Sequence, residues 1–343
     1  MRARVTLRDL ARATGLHFTT IGLALRGDPR VNAGTVARVK AAAAALGYQP
    51  DAMLSALSTY RHRHRAFQGT IGYLLPAPLA QILARNDGYK IALAAAQHAA
   101  VALGQKVEPI DAFAPGMSPG RLTQLLEARG IRALVLAPLF EPGEYPALPW
   151  EKFCVVTIGY SVLRPAVHRV SPHQARSTRE LVEILRARGY RRLGFIIDQN
   201  ANVRSGYNFL GAYLAEQETQ PAENRLRPLV TSACPIGDAT LRRWLREQKP
   251  DCVIGTGPEI LRQLEALGVE VPGRLGFALT GIRPRVPHIA GMDERWDGIG
   301  QAAIDLVVSL LKNNDAGVPR FPRFVLVEGR WTEGETVRAA GFR

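Results

Sequence analysis

The chain has 343 residues, 47% of them hydrophobic, and 44 Lys and Arg against 30 Asp and Glu give it a formal net charge of +14. That length can bury two cores beside a smaller unit, and the charge points to a polyanionic partner. No run of about 18 or more apolar residues occurs and the opening MRARVTLRDL lacks an apolar signal region, so neither a membrane span nor secretion is expected.

Thr6 is placed to N-cap a first helix, with Asp9 three residues on near the positive end of the dipole and Gly15 to close it. Leu7, Leu10, Ala11, Leu16, Ile21 and Leu25 recur at three- to five-residue spacing, which gives two short helices one apolar seam across the Gly15 turn, a helix-turn-helix. Asn32 caps a third helix that carries Val36, Val39, Ala43 and Leu46 inward and ends at Gly47. Tyr48-Gln49-Pro50-Asp51 stops that helix, and Asp51 can cap a further stretch, Ala52 to Ser58. A helix so short and so rich in Ala and Ser forms only against a partner.

Arg61-His62-Arg63-His64-Arg65 follows, readable as a set of phosphate contacts or as a solvated linker. Its histidines lack the Cys or carboxylate company of a metal site. Residues 1–65 hold eleven Lys and Arg against Asp9, Asp28 and Asp51, a surplus of +8 out of the +14. Either an Arg-rich genome or a polyanion partner accounts for the chain's Arg content, and the concentration at the head favours the partner.

From Gly69 short apolar runs alternate with helical stretches, the pattern of parallel sheets covered by helices. Strands are predicted at 70–75, 105–110, 132–137 and 154–159, then, after a crossing near 161–168, at 192–197, 225–230, 251–256 and 274–279. Cys154, Cys234 and Cys252 read as reduced thiols rather than disulfides or metal ligands, two of them in apolar strands. No CxxC, HExxH, GxSxG or phosphate-loop motif occurs, so no enzyme activity, metal or cofactor is expected.

The order VTLxDLAxxxG, then TT, then RVxxAAxxLGYxP resembles the N-terminal domain of the lactose/galactose repressor (LacI/GalR) family of transcription regulators over about fifty contiguous positions. ARGYRRLGFI, KPDCVIGTG, LGVEVPGRLGFALTG and RFPRFVLVEGRWTEGET resemble, more loosely, the family's effector-binding part, which is similar in fold to type I periplasmic sugar-binding proteins. The fold class implied is α plus α/β: a helix-turn-helix domain at 1–50, a hinge helix and basic linker at 51–68, and a two-lobed effector and dimerisation domain at 69–343. Three crossings between lobes, near 161–168, 286–294 and 320–326, would leave an N-lobe of about 69–162 plus 292–322 and a C-lobe of about 163–291 plus 323–343.

The resemblance also implies residue roles. The start of the second helix reads the major groove, at His17, Phe18, Thr19, Thr20 and Leu23 here. The family usually has Ser or Thr where His17 stands, Ser at Gly22 and Arg at Leu23, so a common base-reading donor is absent and His17 and Thr19 carry more of the polar readout. Leu57 falls where the family wedges a leucine into the minor groove, although packing against Met53 or Leu54 is an alternative. Thr6, Arg26, Asn32, Tyr48, Met53, Leu54 and Arg61 complete the expected DNA-contacting set.

A ligand in such folds sits beyond the carboxyl ends of the strands, between the lobes. The candidates by position are Asp87, Phe140, Tyr160, His173, Arg204, Thr280, Asp293 and Glu294, each readable also as a helix cap or a surface group. Sugar-binding members place Arg three residues before a Gly-aromatic pair, where this chain has Val203 before Gly206-Tyr207, with Arg204 one step off. They also carry Asp after the GF strand, where this chain reads Ala278-Leu279-Thr280. The pocket therefore takes something other than the usual sugar or has lost its ligand.

The expectation is a cytoplasmic, homodimeric regulator that binds a pseudo-palindromic operator in double-stranded DNA and is nucleoid-associated when bound. Its affinity would be modulated by a small effector, a sugar or related metabolite, with repression as the natural outcome and activation left open. The alternatives are an effector-independent regulator and a receptor-like solute-binding protein, the latter disfavoured by the basic head.

Overall fold

The computed structural model describes residues 5, 7–25, 31–46, 48, 69–85, 87–232, 235–281, 288–339 and 341. Three helices open the chain: α1 (Leu7–Thr14), α2 (Phe18–Leu25) and α3 (Ala33–Leu46). Gly15 has φ +65°, a left-handed position that lets the chain leave α1 and turn towards α2 without a Cβ clash. Asn32 Oδ1 accepts the Thr35 N–H at 2.8 Å, a side-chain cap on the first turn of α3.

Leu10, Ile21, Ala24 and Val39 are fully buried together, with Ala11, Leu16, Leu25, Val36, Ala43 and Tyr48 packed around them. Leu46 departs from the expected inward seam and is 42% exposed. Tyr48 closes that end instead, its N–H donating to Ala43 O at 2.9 Å while its side chain packs against the core. Thr6, Arg26, Gly47, the stretch 52–58 with Met53, Leu54 and Leu57, the basic run with Arg61, and Cys234 lie outside the described residues.

The first lobe is built on β1 (Gly69–Leu75), β2 (Gln105–Asp111), β3 (Ala133–Leu136), β5 (Cys154–Ile158), β7 (His168–Pro172) and β13 (Phe324–Val327). They form one parallel sheet in the order β13-β7-β5-β3-β1-β2. The central strands β3 and β5 are buried throughout, as expected where both sheet faces are covered. Two short strands, β4 (Gly143–Glu144) and β6 (Val162–Arg164), pair beside it. Its helices are α4 (Leu79–Arg85), α5 (Asp87–Ala102), α6 (Pro119–Ala128) and, returning late in the chain, α12 (Trp296–Asn313), which packs along α5.

The second lobe repeats the plan with β8 (Leu193–Asp198), β9 (Leu229–Thr231), β10 (Cys252–Gly255), β11 (Gly276–Leu279), β12 (Gly291–Asp293) and β14 (Arg330–Thr332), in the order β14-β12-β11-β10-β8-β9. Only the β12–β14 pair is antiparallel among these described strands. α7 (Gln174–Ala187), α8 (Gln199–Arg204), α9 (Asn208–Glu218), α10 (Asp238–Gln248) and α11 (Glu259–Ala266) complete it.

Two expectations are corrected. The strand predicted at 225–230 shrinks to Leu229–Thr231, because Pro228 offers no ladder donor. The Leu226 and Arg227 N–H groups meanwhile donate to the Gln217 and Gln248 side chains. The lobe boundaries also move. β7 ends in the first sheet at Pro172 and α7 opens the second lobe at Gln174; β12 ends at Asp293 and α12 begins at Trp296; β13 ends at Val327 and β14 begins at Arg330. Residues 163–172 and 323–327 therefore belong to the first lobe, and Met292 and Asp293 to the second. His168, Arg169 and Ser171 make β7 look like a loop, yet all three are buried.

Candidate ligand cleft and reading head

Of the expected reading residues, His17 is exposed and stands just before α2, its carbonyl accepting the Ile21 N–H at 3.2 Å. Thr20 and Leu23 are half-buried, whereas Ile21 and Ala24 on the same helix point into the core. The side chains of Phe18 and Thr19 lie outside the described set. Asn32 uses its side-chain oxygen as a helix cap, and Tyr48 is partly engaged in packing.

Between the lobes lies a cavity of about 630 Å³. Its walls come from the carboxyl ends of parallel strands in both sheets, where unpaired backbone and the following turns converge. The first lobe contributes Pro138 after β3, Gly159, Tyr160 and Ser161 after β5, and Pro172 at the end of β7; the second contributes Thr256 after β10, Thr280 and Gly281 after β11, and Asp293 at the end of β12. Gln174, Glu294, Arg295, Trp296 and Asp297 enter from the crossings, and Arg330 and Thr332 from β14.

The acidic groups of the second crossing hold one another's neighbours in place. Asp293 Oδ1 accepts the Arg295 N–H at 2.9 Å, which accompanies a left-handed φ of +57° at Arg295, a conformation non-glycine residues rarely adopt. The Arg295 guanidinium grips Asp297 with two bonds of 3.0 and 3.1 Å, and this hydrogen-bonded pairing holds the Asp297 carboxyl below its ordinary range. Glu294 accepts from Gln174 Nε2 and from Trp296 Nε1, each at 3.2 Å. Gln174 Oε1 is left buried without a hydrogen-bond partner.

Trp296 stacks on Tyr89, with centroids 6.5 Å apart and planes 15° from parallel. Gly88 permits this: a Cβ there would lie 2.9 Å from the Trp296 ring. Tyr89 donates to Pro138 O at 2.7 Å, and burial pushes its hydroxyl up to about 12 although the nearby Arg204 acts in the opposite direction.

Tyr160, Arg204, Thr280, Asp293 and Glu294 are thus brought to the cavity wall, while Asp87, Phe140 and His173 are not. Asp87 opens α5, one residue before the lining Gly88. Phe140 packs on the first core, 6.0 Å from the Tyr89 ring. His173 turns to the third crossing, its Nδ1 3.1 Å from Glu328 Oε1. Sequence reasoning passed over Gln174, Thr256, Trp296 and Arg330. Thr256 ends a strand already recognised, and Trp296 sits two residues beyond Glu294, so the strand-end rule applied one step further finds both. Arg330 needs β14, whose three residues are too few to carry a periodic signal.

At the end of β11 the structure puts apolar side chains. Ala278 and Leu279 are fully buried in the two cores of the second lobe, and only Thr280 reaches the cavity.

The model of the periplasmic binding protein-like domain matches residues 182–337. The fold of the chain is shared with solved LacI-family regulators. The transcriptional regulator CelR in complex with cellobiose is 19% identical, with a TM-score of 0.57 over 97% of this chain and 100% of that one. The lac repressor dimer bound to operator and the anti-inducer ONPF is 17% identical, with a TM-score of 0.56 over 98% and 100%. The LacI-family regulator CCPA from Weissella paramesenteroides with bound glucose is 12% identical, with a TM-score of 0.55 over 78% and 98%. No curated protein matches the chain. Among the described residues no helix is long and apolar enough to cross a membrane, and no group of three or more His, Cys, Asp or Glu is placed to hold a metal ion.

Proposed function

We propose that the chain is a LacI-family transcriptional regulator: a cytoplasmic homodimer that binds a pseudo-palindromic operator through its three-helix head and takes a small polar ligand in the interlobe cleft. The observation that carries this reading is the fold likeness to the operator-bound lac repressor dimer. The head supplies what such a reader needs: two short helices around a glycine turn, a surplus of Arg, and an α2 whose Ile21 and Ala24 point inward while His17, just before it, is exposed.

In this reading α2 lies in the major groove with His17, Phe18, Thr19 and Thr20 at base edges, and Leu23 makes an apolar contact. Leu57 wedges the minor groove in a helix formed on DNA, with Met53, Leu54 and Arg61 beside it. The two-fold symmetry of a dimer matches that of the operator. The cleft suits a neutral polar ligand with a flat face, which Trp296 can cover while Thr256, Thr280 and the unpartnered Gln174 Oε1 meet its polar groups. Repression of adjacent genes follows from occupancy of the operator.

A footprint of the purified protein on its own upstream region, repeated at rising salt, tests the reading. A protected pseudo-palindrome whose affinity falls steeply with ionic strength is expected. No protected site at low salt overturns it.

A further inference from the structure

One side of the cleft is fastened by the protein itself. Pro138, Leu139 and Phe140, which follow β3 in the first lobe, present three consecutive carbonyls, and each receives a side-chain donor. Tyr89 Oη reaches Pro138 O at 2.7 Å from within the first lobe. Arg204 Nε reaches Leu139 O at 3.1 Å and Asn200 Nδ2 reaches Phe140 O at 3.1 Å, both from α8 across the cleft. Asp198 accepts the Ala201 N–H at 2.8 Å and so fixes the start of α8, which puts Asn200 and Arg204 one helical turn apart on the same face. Ser161 Oγ accepts the Leu139 N–H at 2.8 Å and holds the receiving segment rigid.

A third contact lies alongside. Gly206 comes so close to the Tyr160 ring that a Cβ would sit 3.0 Å from it, at a left-handed φ of +61°. Second-lobe backbone is thereby seated on a first-lobe aromatic ring.

We propose that α8 is a clasp: Asn200 and Arg204 hold the two lobes closed on the carbonyls of Phe140 and Leu139, so that closure is the resting state of this protein and needs no ligand. The Arg204 bond is charge-assisted and part-buried, the Asn200 bond is an exposed neutral one, and the acceptors belong to a braced segment, so the pair favours the closed state by roughly tenfold, most of it from Arg204. Arg204, which lines the cleft, has its Nε committed to the opposite lobe. Closure as such concerns the lobes alone; its consequence for operator affinity rests on the regulatory reading above.

The test measures lobe separation in the full chain without ligand. β2 and β9 are the sheet edges farthest from the crossings, so a hinge opening moves them most. Spin labels on Lys106→Cys in β2 and Val230→Cys in β9, in a Cys234→Ser background that leaves the buried Cys154 and Cys252 unlabelled, report the distance by double electron–electron resonance, with the labelled chain diluted into excess unlabelled Cys234→Ser chain so that the pair within one protomer is read. The ligand-free protein is expected to give one narrow distribution, and Asn200→Ala/Arg204→Ala a longer and broader one. Asn200→Asp, which sets a carboxylate against the Phe140 carbonyl, serves as the second variant and is expected to lengthen the distance too. A broad distribution in the parent protein, or an unchanged one in the variants, overturns the clasp. Failure of operator binding with a narrow parent distribution would leave the clasp standing and remove only the regulatory reading.

Discussion

Replacing Ile21 by Ala separates the two halves of the functional reading. Ile21 is fully buried with Leu10, Ala24 and Val39 in a core that shares no residue with the cores of the lobes. Emptying such a site costs about 2–5 kcal/mol. A unit this small holds a total of about 3–5 kcal/mol, so the head of the variant is left near or below its midpoint. A dimer needs both heads folded at once, so operator affinity falls about tenfold or more. Asn32→Ala is the graded control: loss of its bond to Thr35 costs about 1 kcal/mol and leaves most heads folded. Calorimetry should show the transition of the head lowered strongly by Ile21→Ala and weakly by Asn32→Ala, with the transition of the lobes unmoved. Fluorescence anisotropy on a labelled upstream fragment then reads DNA affinity. If Ile21→Ala lowers the head transition and binding stays at the parent level, the head is not the DNA reader.

Three further outcomes follow from the lobes. Gly300→Ala places a Cβ against the backbone of Ala92, 2.9 Å from its carbonyl carbon, and forces α12 off α5; overpacking of about 1–3 kcal/mol should lower the thermal midpoint of the lobes by about 2–4 °C per kcal/mol, with the head transition unchanged. His168 Nδ1 accepts the Arg323 N–H at 2.9 Å, and burial, then the nearby Arg323, hold the imidazole below its ordinary 6.5. The unfolded chain therefore binds the proton first, and lobe stability should fall as pH drops below about 6.5; His168→Asn, which keeps an acceptor, should remove that part of a thermal-midpoint profile. Asp297 is held below its ordinary 3.8 by Arg295, so its contribution is present above that value and lost as pH falls through the folded one; the parent and Asp297→Asn should converge in urea midpoint on acidification.

Where side chains declare themselves by period, the sequence was legible. Leu10, Ile21 and Val39 lie at helical spacing and are the buried set of the head, and runs such as CVVTI and CVIG are strands because both faces of a covered parallel sheet exclude water. The crossings were less legible for a physical reason. β7 is buried but carries His168 and Arg169, whose polar ends are satisfied locally: Arg169 Nη2 donates to Val162 O at 2.9 Å and His168 accepts from Arg323. Such neutralised polar residues look like a loop in one dimension. The cleft shows the same limit. Arg204 was nominated as a ligand group from its place in the chain, and only coordinates reveal that its Nε reaches across to Leu139. His173 was nominated on the same grounds, yet its ring turns to Glu328 because the third crossing passes beside it.

The clasp constrains how any effector could act. Ligands shift a two-state equilibrium only through the difference between their affinities for the two states. With the closed state already favoured by roughly tenfold, a ligand that prefers closure can recruit only the small open fraction, and operator affinity then changes little however tightly that ligand binds. An effector with a large regulatory effect must instead prefer the open cleft, and it must supply enough contact to replace the bonds that Asn200 and Arg204 give up. The groups able to supply that contact are those not engaged in the clasp: the Trp296 face, the Thr256 and Thr280 side chains and Gln174 Oε1. Ala278 and Leu279 are buried apolar groups, so at that strand end Thr280 alone of the three offers a ligand a polar group. In the proposed regulator, a built-in closure thus sets the default state through the protein's own side chains.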